Sequence, residues 1–211
     1  MRTQTKREEQ LNTWTHAIGA ILGVIGLILL LQKSNWDNGI ELFSTLVYGL
    51  SVIILFSASA WYHAVSDPVK KRKLRIADHI SIYVLIAGTY TPVVLILLSK
   101  SLGWPLFWAV WGITLFGIVL KLFFIGKFEI FSTLLYLVMG WLIVFDYTNL
   151  KLVMADQGIN WLIAGGICYT VGIVFYVYEK LKYQHVIWHL YVLGGAFCHF
   201  MMVYYYAIGI V

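Results

Sequence analysis

Long apolar runs alternate with short polar connections along the whole chain. Each run is long enough to cross the hydrocarbon core of a bilayer, which takes about 20 helical residues. The pattern therefore predicts an all-α membrane protein, a seven-transmembrane helix bundle that forms a single domain over residues 1–211. The predicted spans cover 16–33, 41–65, 77–99, 104–124, 130–149, 158–178 and 184–209.

The composition indicates the same class of protein. Of the 211 residues, 61% are hydrophobic and 12% are charged, whereas soluble domains carry about 25% charged residues. There is too little polar surface to cover a water-soluble particle, and the spans leave no room for a soluble catalytic domain. Any chemistry must therefore take place within the bilayer or at its edge.

Lysine and arginine residues are distributed unevenly between the two sides of the predicted bundle. Twelve lie on the side of the N-terminus and three lie on the opposite side. Because basic residues concentrate on the cytoplasmic side, this distribution predicts a cytoplasmic N-terminus and an extracytoplasmic C-terminus. The same topology accounts for the net charge of +5, so no nucleic-acid partner is expected.

Four ionisable residues at the ends of three spans fall at a similar depth. His63 ends the second span on the predicted cytoplasmic side, and Asp78 begins the third span there. His185 and His189 begin the seventh span on the same side. Ionisable groups are costly in a membrane and usually mark a function there, so their convergence indicates a shared site.

The spacing of these residues is compatible with metal chemistry. His185 and His189 are four positions apart, which places them on one helix face about 6 Å from each other. With His63 as a third nitrogen ligand and one water, they would form a common catalytic zinc arrangement. Asp78 could hold and deprotonate that water, and Ser59, one turn before His63, could hydrogen-bond beside it. The residues alone leave a second interpretation open, namely ordinary interfacial histidines without a metal.

The other histidines are expected to have different roles. His16, together with Thr15, is expected to cap the start of the first span, and a supporting position beside the metal ligands is the alternative. His79 points about 100° away from the preceding aspartate on a helix and is expected to be interfacial rather than ligating. His199 is 14 residues beyond His185, about 21 Å along the helix axis, and cannot reach the same ion.

These residues, in this order, resemble the hemolysin III family, the bacterial branch of the progestin and adipoQ receptors. That group belongs to a wider superfamily of proposed membrane hydrolases that includes alkaline ceramidases. The resemblance covers essentially the whole chain. The matching motifs are Ser59-x-x-x-His63, Asp78, His185-x-x-x-His189 and Glu9-x-x-Asn12-x-x-Thr15-His16.

The resemblance implies a zinc ion bound by His63, His185 and His189. It also implies that Asp78 contacts the zinc through water, as the general base, and that Ser59 lies beside this water. The expected function is zinc-dependent hydrolysis of an amide or acyl bond in a membrane lipid, by a multi-pass protein of a bacterial plasma membrane. The membrane lipid is the expected substrate or ligand.

Two other functions remain open at this stage. The protein could be a non-enzymatic membrane sensor or receptor-like protein in which zinc is structural. The family name also implies a cytolytic, pore-type activity, although no span shows a continuous polar stripe that would line a pore.

The charge distribution provides a test of the topology. A reporter fused to the C-terminus should be extracytoplasmic and one inserted in the 66–76 connection should be cytoplasmic, because the basic segments stay inside. Alkaline phosphatase activity reports the first location and green fluorescence the second. Finding both reporters on one side would contradict the seven-span count.

Overall fold

The computed structural model of the protein describes residues 4–178 and 180–210, which form helices and no strands. Within these residues, seven helical spans are long and apolar enough to cross a membrane. The predicted all-α membrane fold is therefore confirmed, whereas the orientation of the termini stays a prediction. Arg2, one of the basic residues used in that prediction, lies outside the described residues. The helices are α1 (Lys6–Lys33), α2 (Gly39–Ala64), α3 (Pro68–Pro92), α4 (Gly103–Phe124), α5 (Glu129–Trp141), α6 (Tyr147–Val153), α7 (Asp156–Val177) and α8 (Gln184–Tyr206).

Helix α1 begins ten residues before the apolar run of the first span, at Lys6 rather than at residue 16. Thr5 and Glu8 form a reciprocal capping box: Glu8 N donates to Thr5 Oγ1 at 3.3 Å, and Thr5 N donates to Glu8 Oε2 at 2.8 Å. This pair satisfies two of the backbone donors that a helix start leaves free. The expectation that Thr15 and His16 cap the helix is therefore wrong, because both lie inside α1.

Helix α3 begins and ends at prolines. Pro68 opens the helix, and the Asp67 side chain caps it by accepting from Lys70 N at 2.8 Å. Pro92 ends the regular α-helix, since it lacks a backbone donor, and the span continues as a π-helical turn over Val93–Leu97.

The fifth span is also irregular, and one phenol connects it to α3. A 3₁₀ segment, Leu142–Asp146, separates α5 from α6. The Tyr90 hydroxyl donates to Gly140 O at 3.0 Å and accepts from Ile143 N at 2.8 Å. These two backbone groups lie where the α-helical hydrogen bonding of the fifth span stops. Without Tyr90 they would have no partner, because the interior of a bilayer offers none.

The helices are arranged in a ring. Helix α2 packs between α1 and α3, α4 packs on α3, and α7 packs on α8, which closes the ring against α1. Helix α5 contacts α3, α4 and α7, each only sparsely. The start of α1 and the connections after α2, α4 and α7 lie at one end of the bundle, which we call the site end. Large apolar side chains such as Phe123 and Leu152 are exposed on the outside, as expected for a surface that meets lipid.

Close helix approach depends on particular glycines, and α4 offers a matched pair. A Cβ atom on Gly117 would lie 2.5 Å from the ring of Tyr83, which is fully buried, whereas a Cβ atom on Gly112 would meet no atom within 4 Å. We expect Gly117→Ala to destabilise the fold by about 1–3 kcal/mol through overpacking. Gly112→Ala should leave stability unchanged or raise it slightly, because alanine favours helix. Thermal unfolding of both variants in detergent measures the difference, and equal melting temperatures would contradict the packing of α4 on α3.

Candidate metal centre

Three histidines meet at the site end. His63 lies in the last turn of α2, and His185 and His189 lie in the first turns of α8. One ring nitrogen of each lies within 4.8 Å of the others, and their ring centroids are 4.7–5.1 Å apart. His63 and His189 are buried and His185 is half-buried. Three imidazoles at these distances could bind one metal ion.

The Glu9 carboxylate determines how His63 presents its ring. Its Oε2 lies 2.7 Å from His63 Nδ1, and its Oε1 accepts from Lys71 Nζ at 2.9 Å. Because a carboxylate only accepts, the proton of the neutral imidazole lies on Nδ1. Nε2 is then an acceptor, and it is buried without a hydrogen-bond partner. A carboxylate behind a histidine whose other nitrogen is free is the usual arrangement of a metal ligand, so this residue set fits a metal ion.

The Thr15 hydroxyl has a similar relation to His189. It donates to the carbonyl oxygens of Leu11 and Asn12, at 2.9 and 3.0 Å. These bonds use the single hydroxyl proton. In the 3.3 Å contact with His189 Nδ1, the hydroxyl oxygen is therefore the acceptor and Nδ1 is the donor. The other nitrogen, Nε2, is then free to bind a metal. Helix α1 therefore orients two of the three histidines.

His16 supports the site by packing. Its ring stacks on the His189 ring with centroids 3.5 Å apart and an angle of 9° between the planes. The Phe56 ring meets it edge-on at 5.0 Å. His16 is buried but does not belong to the three-histidine group found among the described residues. Its role is therefore to hold the His189 ring in place rather than to cap a helix.

Asp78 and Ser59 lie beside the histidines without joining them. Ser59 is buried one turn before His63 on α2. The Asp78 side chain is next to the Ser59 hydroxyl and interacts with the His63 ring. Both residues line the same cavity as His185 and His189. This placement is compatible with contact to a metal through water, and the catalytic roles of Asp78 and Ser59 stay predictions.

His79 belongs to a separate charged cluster. It is buried, and its Nδ1 lies 3.5 Å from Glu129 Oε2. The same carboxylate accepts from Lys121 Nζ, which is fully buried, at 2.7 Å, and from Arg75 at 3.2 Å. The cluster joins α3, α4 and α5. His79 does not belong to the three-histidine group, as expected, and its position at the membrane interface stays a prediction.

A cavity of ≈ 470 Å³ extends from the histidines into the bundle. His185 and Tyr176 line it at the site end, and His199 and Met202 line it further along α8. Most of its other lining side chains are apolar and come from α3, α5 and α7. The cavity therefore joins a polar site to a long apolar compartment.

These features define a class, the seven-helix membrane proteins with a three-histidine pocket at one end. The chain matches the family model described as "Haemolysin-III related" over residues 4–200. It is 42% identical to Hemolysin-3 of Bacillus cereus, over 98% of this chain and 94% of that protein. It is 40% identical to the Hemolysin-3 homolog of Bacillus subtilis (strain 168), over 97% and 96%. The chain therefore belongs to the hemolysin III family, which confirms the resemblance drawn from its motifs.

A more distant similarity extends to animals. The chain is 28% identical to the monocyte to macrophage differentiation factor of Homo sapiens, over 94% of this chain and 84% of that protein. No solved structure matches the chain significantly. The region matched by the family model contains all three histidines.

The Glu9–His63 contact gives a test of the site. We expect Glu9→Gln to weaken binding of a divalent metal ion by about 10- to 100-fold, because a neutral amide orients and polarises the imidazole less well than a carboxylate. Asp37→Asn, which removes an exposed acid between α1 and α2, should bind like the wild type. Competition with a chromophoric zinc chelator measures the affinity. A folded Glu9→Gln protein with wild-type affinity would show that Glu9 orients no ligand.

Proposed function

We propose that this protein is a zinc-dependent hydrolase that cleaves an amide or acyl bond of a membrane lipid, in the plasma membrane of a bacterium. The observation that carries the proposal is the position of the three histidines at the polar end of an otherwise apolar cavity. The Bacillus relatives support the bacterial assignment.

The donor set favours zinc among the common metal ions. Three neutral imidazole nitrogens suit a borderline-soft ion, whereas magnesium and calcium prefer oxygen ligands. Three protein nitrogens also leave a fourth position open, as in catalytic zinc sites. Zinc bound by His63, His185 and His189 would supply a Lewis acid that acidifies water and polarises a carbonyl group.

The remaining polar residues have roles that follow from their positions. Asp78, beside His63, would accept the proton of the attacking water and later deliver it to the leaving group. The Ser59 hydroxyl, next to that carboxyl, would hold the water and the carboxyl in line. Glu9 and Thr15 keep Nδ1 of His63 and His189 as donors, so that Nε2 of each ring is the nitrogen that would bind the metal.

The cavity supports a lipid as the substrate. Its lining is mostly apolar and it begins at the histidines, so an acyl chain could lie inside with its carbonyl carbon at the site. Burial of the chain would supply binding energy that grows with each methylene. The apolar lining does not favour the alternative of an ion-conducting, cytolytic pore.

One observation favours the second candidate, a sensor in which zinc is structural. The contacts around the histidines join α1 to α2, α3 and α8, through Glu9 with His63 and Lys71 and through Glu8 Oε1 with Tyr183 N at 2.9 Å. A metal ion among these helices would also stabilise the bundle.

Paired variants separate the two candidates. His185→Ala removes a ligand and should lose both the metal and stability, because metal binding is coupled to folding. Asp78→Ala should keep the zinc and reduce turnover by about 10²- to 10⁴-fold, since the base is lost while the ligands remain. Asp156→Ala, which changes an exposed aspartate of α7, is the control.

The measurements are zinc per protein by elemental analysis and release of fatty acid from ceramide-like lipids and phospholipids. Undiminished turnover in zinc-loaded Asp78→Ala would contradict the assignment of the base. No turnover in the zinc-loaded wild type with any of these lipids would favour the sensor.

A further inference from the structure

One histidine interrupts the apolar wall of the cavity far from the metal centre. His199 lies on α8, ten residues beyond His189, which corresponds to about 15 Å along the helix. It lines the cavity and is half-buried. No role in the metal centre accounts for it, because it lies too far from the three-histidine group.

The hydrogen bonds of His199 define which of its nitrogens is free. Nε2 lies 3.2 Å from Leu162 O on α7, and a carbonyl oxygen only accepts, so Nε2 carries the proton. Nδ1 is therefore an acceptor, and it is buried without a partner. The Cδ2–Nε2 edge of the ring lies against Gly165, where the absence of a side chain lets the ring approach α7. Nδ1 is on the opposite edge, away from α7.

A phenol adjoins this histidine in the same wall. The Tyr169 ring lies 5.5 Å from the His199 ring, centroid to centroid, and also lines the cavity. It packs over Gly195, one turn before His199 on α8. The two side chains thus bring an acceptor nitrogen and a phenol to neighbouring positions of a mostly apolar wall.

We propose that His199 and Tyr169 form a subsite for an uncharged hydroxyl group in the middle of a lipid chain, so that the preferred ligand is a hydroxylated acyl chain. The inference rests on the proposed function, because it places the carbonyl end of the chain at the three histidines. It adds the substrate class, which the metal centre does not define.

The chemistry of the subsite selects a hydroxyl group. A hydroxyl can donate to His199 Nδ1 and accept from Tyr169 at the same time, whereas an ionic group would pay a large desolvation penalty in the apolar wall. Nδ1 is already buried without a partner, so a plain methylene gains nothing there, whereas a hydroxyl gains a hydrogen bond. The distance of about 15 Å from His189 places the group in mid-chain rather than next to the carboxyl.

Competition binding to the purified full-length protein with zinc tests this inference. The probes are stearic acid, stearic acid hydroxylated in mid-chain, and stearic acid hydroxylated next to the carboxyl, compared by native mass spectrometry. We expect the mid-chain hydroxyl to strengthen binding about two- to tenfold, the value of one net hydrogen bond. The hydroxyl next to the carboxyl should bring no such gain.

Variants assign the preference to the subsite. His199→Phe keeps an aromatic ring of similar shape without nitrogens. This variant should bind stearic acid and its mid-chain hydroxylated form equally. Phe197→Leu, which changes an exposed ring on the same helix, should keep the preference. The readout is a ratio within one protein, so a loss of stability alone would not change it. Should His199→Phe fail to fold, Tyr169→Phe should still reduce the ratio.

The outcomes separate the inference from the proposed function. Equal binding of plain and mid-chain hydroxylated acids by the wild type would overturn the subsite and leave the lipid cavity intact. A preference that persists unchanged in folded His199→Phe would also overturn it. Binding of none of the three acids would overturn the lipid cavity itself, and with it both proposals.

Discussion

The carboxylate of Glu9 is the interaction on which the site end depends. It lies between His63 and Lys71, and so it joins α1 to α2 and α3. An unpaired charge is costly near a bilayer core, and an unpaired imidazole N–H would also be costly inside the bundle. Pairing the carboxylate with the Lys71 ammonium and with Nδ1 of His63 stabilises the charge. It also leaves the second nitrogen of His63 facing the other two histidines.

The sequence was sufficient to predict the seven spans and the meeting of three histidines. The i, i+4 spacing of His185 and His189 places them on one helix face. Four spans lie between His63 and the seventh span, and an even number of crossings returns the start of α8 to the same end of the bundle. Both arguments use only the direction of each helix, which a hydrophobic pattern reports well.

The partners of these residues could not be predicted from the same pattern. The hydropathy pattern places the start of the first span at residue 16. Helix α1 begins ten residues earlier, at Lys6, because Thr5 caps its start. Glu9 therefore appeared to belong to a polar tail, and its contact with His63 is set by tertiary packing. Lys121 is similar: it lies near the end of the predicted fourth span, but its full burial depends on Glu129, which lies across the connection from α4 to α5.

The contacts of α1 also determine when the site can form during synthesis. Membrane proteins are made from the N-terminus, so α1 is available first. Its Glu9 carboxylate finds its first partner only when α2 follows, and Thr15 and His16 meet His189 only when α8, the last helix, is complete. Until then the first helix carries polar groups whose partners have not yet been synthesised. The three histidines can therefore meet only after the first turns of α8 have been synthesised.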